Sequence, residues 1–314
     1  MCFSERTLKL LKMRKFGVKI VRGLVKVFGK LPLRVHYWFA GFLTWIMRDL
    51  MRYRYDVVMI NLARSFPEKK YKELVAIAKE CYRHLGEIFV EAIWFGASDY
   101  KRLCESGIVT ITNPEVFNRM IDDAPNLSML FSHCGNWEIL GGLLGYRTAT
   151  GGKISFGEKA ISVVYKKLTN EVSDRVFALN RIAPLRDVGT ECEVESKEIL
   201  RYSIRHKDEK RVYIYPTDQA PYYKSGPHPI GMFMHQDTKA MLGSVGVACK
   251  LSHSVAYMKM KRVDRGKYEM SFIPICEDAS KMSPEELMRK YYDLLEAEIN
   301  ETPHNWLWTH KRWK

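Results

Sequence analysis

At 314 residues and 46% hydrophobic content, the chain can hold one large α/β domain or two smaller ones around a sizeable core. Its seven cysteines (Cys2, Cys81, Cys104, Cys134, Cys192, Cys249, Cys276) show no CxxC and no paired spacing, which argues against a disulfide framework or structural zinc. The formal net charge of +14 points to a polyanionic partner, either nucleic acid or a membrane surface.

Most of that charge lies at the start. Residues 1–54 hold thirteen Lys/Arg against Glu5 and Asp49, a net +11. Leu10, Met13, Gly17, Ile20, Leu24, Val27 and Leu31 recur every three or four residues, a helical stripe. Turning about 100° per residue puts Lys12, Lys15, Lys19, Arg22 and Lys26 on the other side. Such a helix suits an anionic lipid surface. The run VHYWFAGFLTWIM (35–47) comes next, with His36 its only titratable side chain besides Tyr37. It is shorter than the roughly 20 residues a span requires, and its Trp and Tyr favour the bilayer interface. A core helix with a solvated basic face is the plainer alternative. A nucleic-acid arm is a third, with no nucleic-acid motif to support it. Arg34 and the absence of a small-residue site after the apolar run argue against a cleaved signal peptide.

Residues 68–96 read as a helix with Leu74, Ile77, Ala78, Cys81, Leu85, Ile88 and Phe89 on one side, and Pro67 suits its start. Glu87 and Glu91 on it read as surface or ion-paired groups. From about residue 108, short β-rich runs alternate with helical ones. The runs are SMLF (128–131), ISVVY (161–165), RVYIY (211–215), SVAYMKM (254–260) and YEMSFIPI (268–275). Helical stretches at 139–146, 166–180 and 239–251 fall between them. This pattern predicts an α/β fold with a mainly parallel central sheet flanked by helices, closed by a hairpin around Asp264-Arg265-Gly266. The last helix starts at Ser283, with Pro284 first and Glu286 completing a capping box. The expected organisation is an attachment segment, residues 1–54, and one α/β domain, residues 55–314.

Ligands of open α/β sheets bind beyond the carboxyl ends of the strands. There SMLF is succeeded by Ser-His-Cys-Gly-Asn-Trp-Glu, ISVVY by Lys166 and Lys167, and RVYIY by Pro-Thr-Asp-Gln. His133 and Glu138 lie about 140° apart on a regular helix, so they converge only if Gly135 and Asn136 make a turn and Glu138 opens the helix. A carboxylate on one imidazole nitrogen would leave the other free as a base for a hydroxyl proton. The spacing is not that of HExxH, and no metal is expected. The bland reading is a histidine that satisfies turn amides. Pro-Thr-Asp is also ordinary turn chemistry, and the lysine pair suits either solvent or a phosphate. Cys134 as a thiol nucleophile is a rival, which would make the protein a hydrolase.

The ordered set of motifs resembles the bacterial late acyltransferases of lipid A biosynthesis, within the glycerolipid acyltransferase superfamily that shares His-x4-Asp/Glu. The resemblance runs through Leu31-Pro32, Tyr53-Arg54, Asn61-Leu62, Phe66-Pro67-Glu68, Ser132-His133 with Glu138, and Val164-Tyr165-Lys166 with Asn170. It continues through Asp218-Gln219, Gly231-Met232-Phe233 to Thr238, and Trp306 to Lys314. It implies transfer of a fatty acyl chain from acyl carrier protein, or from acyl-CoA, to a hydroxyl of a lipid A precursor. The implied place is the cytoplasmic face of the inner membrane. His133 matches the general base and Glu138 its orienting partner. Asn136, Tyr165, Lys166, Lys167, Asp218, Gln219, Phe233 and Thr238 become candidate substrate contacts. No cofactor is implied beyond the acyl donor. Two departures stand out. The family's Tyr-Arg-Pro reads Tyr165-Lys166-Lys167, so Arg175 or Arg181 would supply the anion-gripping arginine. Its Phe-Phe-Gly reads Phe233-Met234-His235, at a place tied to chain selectivity. A lysophospholipid or aminolipid acceptor is the alternative within the same chemistry.

Overall fold

Alternating apolar residues in the middle runs build a sheet that is buried on both faces. In the computed structural model, the described residues are 5–123, 126–152, 154, 161–167, 170–181, 183–184, 193–221 and 226–313. The side chains of 5–16 and 171 fall outside that description, and with them Leu10 and Met13 of the apolar stripe and Lys12 and Lys15 of the basic side; so does Lys314.

The chain begins with α1 (Glu5–Gly29), α2 (Leu33–Trp45), a π-turn (Ile46–Leu50), α3 (Tyr55–Ser65) and α4 (Tyr71–Gly96). Next come α5 (Tyr100–Ser106), β1 (Val109–Ile111), α6 (Pro114–Asp123), β2 (Asn126–Phe131), a 3₁₀ helix (Trp137–Gly145), β3 (Arg147–Thr148) and β4 (Ile161–Tyr165). After these are α7 (Glu171–Arg181), β5 (Glu193–Glu195), α8 (Ile199–Arg205), β6 (Arg211–Pro216), β7 (His228–Phe233) and β8 (Gln236–Ala240). The chain ends with α9 (Gly243–Lys250), β9 (Ser254–Asp264), β10 (Lys267–Cys276) and α10 (Pro284–Glu301), with short 3₁₀ turns at Ala279–Lys281 and Pro303–Asn305.

The main sheet has the order β3-β1-β10-β9-β2-β6-β4-β5, and β7-β8 form a separate hairpin. All pairings in the main sheet are parallel except β9 with β10, the hairpin whose turn is Arg265-Gly266. β2 and β6 lie at the centre of the parallel part. Leu127 and Met129 of β2 and Val212 and Ile214 of β6 face one core, with Phe95, Phe117, Ile139 and Met258. Leu130, Tyr213 and Tyr215 face the other, with Tyr257, Tyr291, Tyr292, Trp306 and Trp308. Period-two alternation and burial of both faces are what a central parallel strand requires.

The expected runs become strands within a few residues of their sequence limits. The short β1, β3 and β5 and the β7-β8 hairpin carry too few apolar residues to stand out. Four helices differ from expectation. Lys239 and Ala240 belong to β8, so that α9 starts only at Gly243, and α7 starts at Glu171 rather than at residue 166. The stretch after His133 is a 3₁₀ helix, and α4 starts at Tyr71, where the Lys70 amide donates to Glu73 at 2.9 Å. At α10 the expected capping box is present: the Glu286 amide donates to Ser283 Oγ and the Ser283 amide to Glu286.

Glu87 and Glu91 are fully buried, so neither is a surface group, while Glu87 is ion-paired as the other half of the expectation had it. Glu87 accepts from Arg262 and Arg265 of the β9-β10 hairpin, both at 2.9 Å. An internal carboxylate needs such partners, because desolvation makes an unpaired buried charge costly.

α2 packs on α4, and the contact is close. A Cβ at Gly86 would lie 2.9 Å from the Ala40 carbonyl oxygen. The outward faces of α1 and α2 nevertheless remain apolar. Ile20, Leu24, Val27 and Leu31 are exposed, as are Trp38, Phe42 and Trp45. Val21, Leu24, Val25, Val27, Phe28, Leu31 and Ile93 line an open cleft of about 500 Å³. Among the described residues, no helix is long and apolar enough to cross a membrane.

Candidate active site

Strand register brings the strand-end groups together. β2 and β6 pair in parallel with Phe131 opposite Pro216. His133 and Asp218 each lie two residues further on, so they emerge side by side beyond the carboxyl edge. The His133 Nδ1 is 2.7 Å from Asp218 Oδ1, and the His133 backbone amide donates to Asp218 Oδ2 at 3.0 Å. Trp306 Nε1 donates to the same Oδ2 at 2.8 Å. A carboxylate accepts only, so Nδ1 carries the proton and Nε2 holds a lone pair. Gln219 Nε2 faces that lone pair at 3.1 Å, as a donor.

Asp218 therefore occupies the place expected of Glu138. The reason is local geometry. Gly135 adopts φ +63°, and a Cβ there would sit 2.5 Å from the Met260 carbonyl oxygen, so the turn requires glycine. Asn136 then caps the 3₁₀ helix by accepting the Glu138 amide at 3.1 Å. Glu138 is turned so that its carboxylate accepts from Trp137 Nε1 at 3.1 Å. It acts on His133 through charge rather than through a bond.

The electrostatics fit a base. Burial alone would lower the His133 pKa, but the Asp218 charge, their hydrogen bond and the Glu138 charge together raise it above 6.5. Burial likewise opposes ionisation of Asp218, yet His133 and the Trp306 indole bring it down to about 2. The pair is stable as carboxylate and Nδ1-protonated imidazole.

Other expected residues fall in distinct places. Asn136 is fully buried, with Nδ2 donating to Glu91 Oε2 at 2.7 Å, so its amide is committed inside the protein. The backbone amides of Gly135 and Asn136 are also taken and so offer no oxyanion donor. Gly135 donates to the Asn305 carbonyl at 3.1 Å, and Asn136 to the Met260 sulfur at 3.3 Å. Phe233 is buried among Tyr292, Trp306 and Trp313, and Thr238 Oγ1 accepts from Trp313 Nε1 at 2.8 Å. These two hold the C-terminal segment rather than presenting a surface. In the turn that replaces Phe-Phe-Gly, Met234 and His235 both take positive φ, and Met234 is buried. Lys166 and Lys167 are exposed beyond β4, the strand next to β6. Tyr165 lies under the Arg181 guanidinium, 5.7 Å from ring centroid to carbon. Arg181 also pairs with Glu193 at 3.3 Å, while Arg175 is exposed on α7. Cys134 is buried, and burial pushes its thiol well above the usual value, which removes the nucleophile of the hydrolase reading.

Three supports of the site carry no signal in the residues themselves. The Trp306 indole holds Asp218. Tyr257 links Ser132 to the buried Glu298 carboxylate beneath the turn. Glu91 holds Asn136 from the other side. Their partners are 41 to 177 residues distant in sequence, so no local spacing reveals them.

A strand-end histidine with a buried carboxylate on one nitrogen and a lone pair capped by the Gln219 amide on the other has the chemistry to take up a proton. The chain belongs to the bacterial lipid A biosynthesis acyltransferase family, whose sequence model matches residues 4–314. It is an acyltransferase. A comparison with curated proteins gives no match.

Proposed function

We propose that the protein is an O-acyltransferase that moves a fatty acyl chain from acyl carrier protein to a hydroxyl of a lipid A precursor, working at the cytoplasmic face of the inner membrane. The observation that carries this reading is the His133–Asp218 pair with Nε2 turned toward Gln219. The acceptor hydroxyl displaces the Gln219 amide and donates to Nε2. As its proton passes to His133, the oxygen attacks the thioester carbonyl, and the new C–O bond gives a tetrahedral oxyanion. Collapse breaks the C–S bond, and the imidazolium returns its proton to the departing thiolate. No acyl group is held on the enzyme, in keeping with the burial of Cys134. Asp218 stabilises the imidazolium, and Glu138 adds negative charge nearby. Lys166 and Lys167, with Arg175 or Arg181, supply positive charge at the rim for the oxyanion or for acceptor phosphates.

The exposed apolar face of α1 and α2, flanked by Lys and Arg, supports attachment to an anionic lipid surface. The net charge of +14 also suits an acidic carrier protein. The test is transfer by purified protein in detergent, from acyl carrier protein bearing mixed chains, with products read by mass spectrometry. An acylated lipid A precursor supports the reading. Acylation of a lysophospholipid or aminolipid in its place moves the acceptor and keeps the chemistry.

A further inference from the structure

Glu91 lies near the C-terminal end of α4, fully buried, where three donors from three different elements converge. Asn136 Nδ2 and Tyr268 Oη donate to Oε2, both at 2.7 Å, and Tyr37 Oη donates to Oε1 at 2.9 Å. Asn136 belongs to the turn after His133, Tyr268 to β10 and Tyr37 to α2. The Asn136 amide has only one way to face, because its Oδ1 already accepts the Glu138 amide. It therefore turns an N–H toward Glu91, and the carboxylate accepts it; burial pushes the Glu91 pKa up to about 7, against the pull of its three donors. Tyr37 is seated as firmly: the Arg265 guanidinium lies 5.5 Å from its ring centroid, and a Cβ at Gly266 would collide with its Oη.

A buried carboxylate is a weak route to stability, since apolar residues of similar volume serve as well. It is a strong route to a single geometry. We infer that Glu91 is a positioning residue for acyl transfer, holding the Asn136 turn that carries His133 and Glu138 and tying it through Tyr37 to the docked α2. This rests on the general-base reading of His133. The geometry of the base is then coupled to whether α2 is seated on α4, so the enzyme is competent only with its N-terminal helices in place.

The donor and acceptor can be exchanged. Glu91→Gln puts an amide against the Asn136 amide, and Asn136→Asp puts a carboxylate against the Glu91 carboxylate. In Glu91→Gln/Asn136→Asp, the new amide donates to the new carboxylate, the Tyr268 hydroxyl turns to accept, and the Glu138 amide keeps its cap. Each single variant is expected to lower kcat roughly 10- to 100-fold, with KM for the acyl donor unchanged. The double variant is expected to return kcat to near the wild-type value. Tyr37→Phe is expected to lower kcat by several-fold in wild type and to add little in Glu91→Gln, without altering binding to vesicles of phosphatidylethanolamine and phosphatidylglycerol. A second readout does not depend on turnover: the rate at which diethyl pyrocarbonate modifies His133, followed by peptide mass spectrometry. It should change in both single variants and return in the double. Single effects that multiply in the double variant, in kcat and in His133 modification alike, would overturn the inference. So would Tyr37→Phe effects confined to vesicle binding. If wild-type protein transfers no acyl group, the functional reading fails, while His133 modification still decides the positioning role.

Discussion

Around His133 the polar groups are inside and partnered, whereas on α1 and α2 the apolar groups are outside and bare. Each hydrogen-bonding atom of the His133, Asp218, Asn136 and Glu91 side chains has a partner within 3.1 Å. Trp38 is 72% exposed, Leu24 66% and Val27 74%. The first region is finished by the protein itself, with donors and acceptors drawn from β2, β6, β10, α4 and the C-terminal segment. The second is left bare to water, and in the function proposed above it meets a lipid surface. An enzyme for a lipid acceptor has use for both: a preorganised base, and a face that brings it to its substrate. The two meet at Tyr37, which is on α2 and bonds to Glu91.

Changes on the polar side should be large and specific to turnover. His133→Ala removes the base and should lower kcat about 10²- to 10⁴-fold, with little change in Tm; loss of folding would show the imidazole to be structural. Asp218→Asn leaves the imidazole without its counter-charge and should cost about 10²-fold. Removing the indole donor by Trp306→Phe should cost about tenfold in kcat and lower Tm as well. An unchanged kcat there would show that Asp218 needs no third group. Changes on the apolar side should leave Tm alone and act on binding. Trp38→Ser and Phe42→Ser should each weaken partition to anionic vesicles about tenfold, measured by co-sedimentation. Unchanged partition would break the contrast, because the exposed face would then have no lipid to meet.

Stability should track the same pair in pH. The Asp218 pKa is depressed to about 2, so its contribution is present above 3.8 and is lost as pH falls through that lower value. The His133 pKa is raised, so its contribution is full below 6.5 and is lost as pH rises through the folded value. The Tm gap between wild type and Asp218→Asn should therefore be widest between these limits, and a gap independent of pH would contradict the pairing.

Much of this is legible in the sequence. The strands that form the centre of the sheet are apolar runs of ordinary length, and the residues just beyond two of those runs include His133, Asp218 and Gln219. Which carboxylate meets the imidazole is not legible there. Glu138 is close in sequence, but Asp218 is close in space, through a strand register that neither segment encodes alone. The burial of Glu91 is hidden for a related reason. It lies one helical turn past Glu87 on a helix that also carries exposed charges, and only the tertiary donors Tyr37, Asn136 and Tyr268 make it an interior group. Phe233 and Thr238 suggest a substrate surface, yet they pack the Trp306–Trp313 segment against α10.

Whether Asp218 sets the basicity of His133 is decided by the pH dependence of single-turnover acyl transfer in wild type, Glu138→Gln and Asp218→Asn. The account predicts that wild-type rate rises with pH through an apparent pKa above 6.5, the base being active when neutral. It also predicts a shift of that limb to lower pH, small in Glu138→Gln and larger in Asp218→Asn. A limb that stays in place when Asp218 is changed would mean that this carboxylate does not set the basicity of His133, and the assignment of the pair would fall.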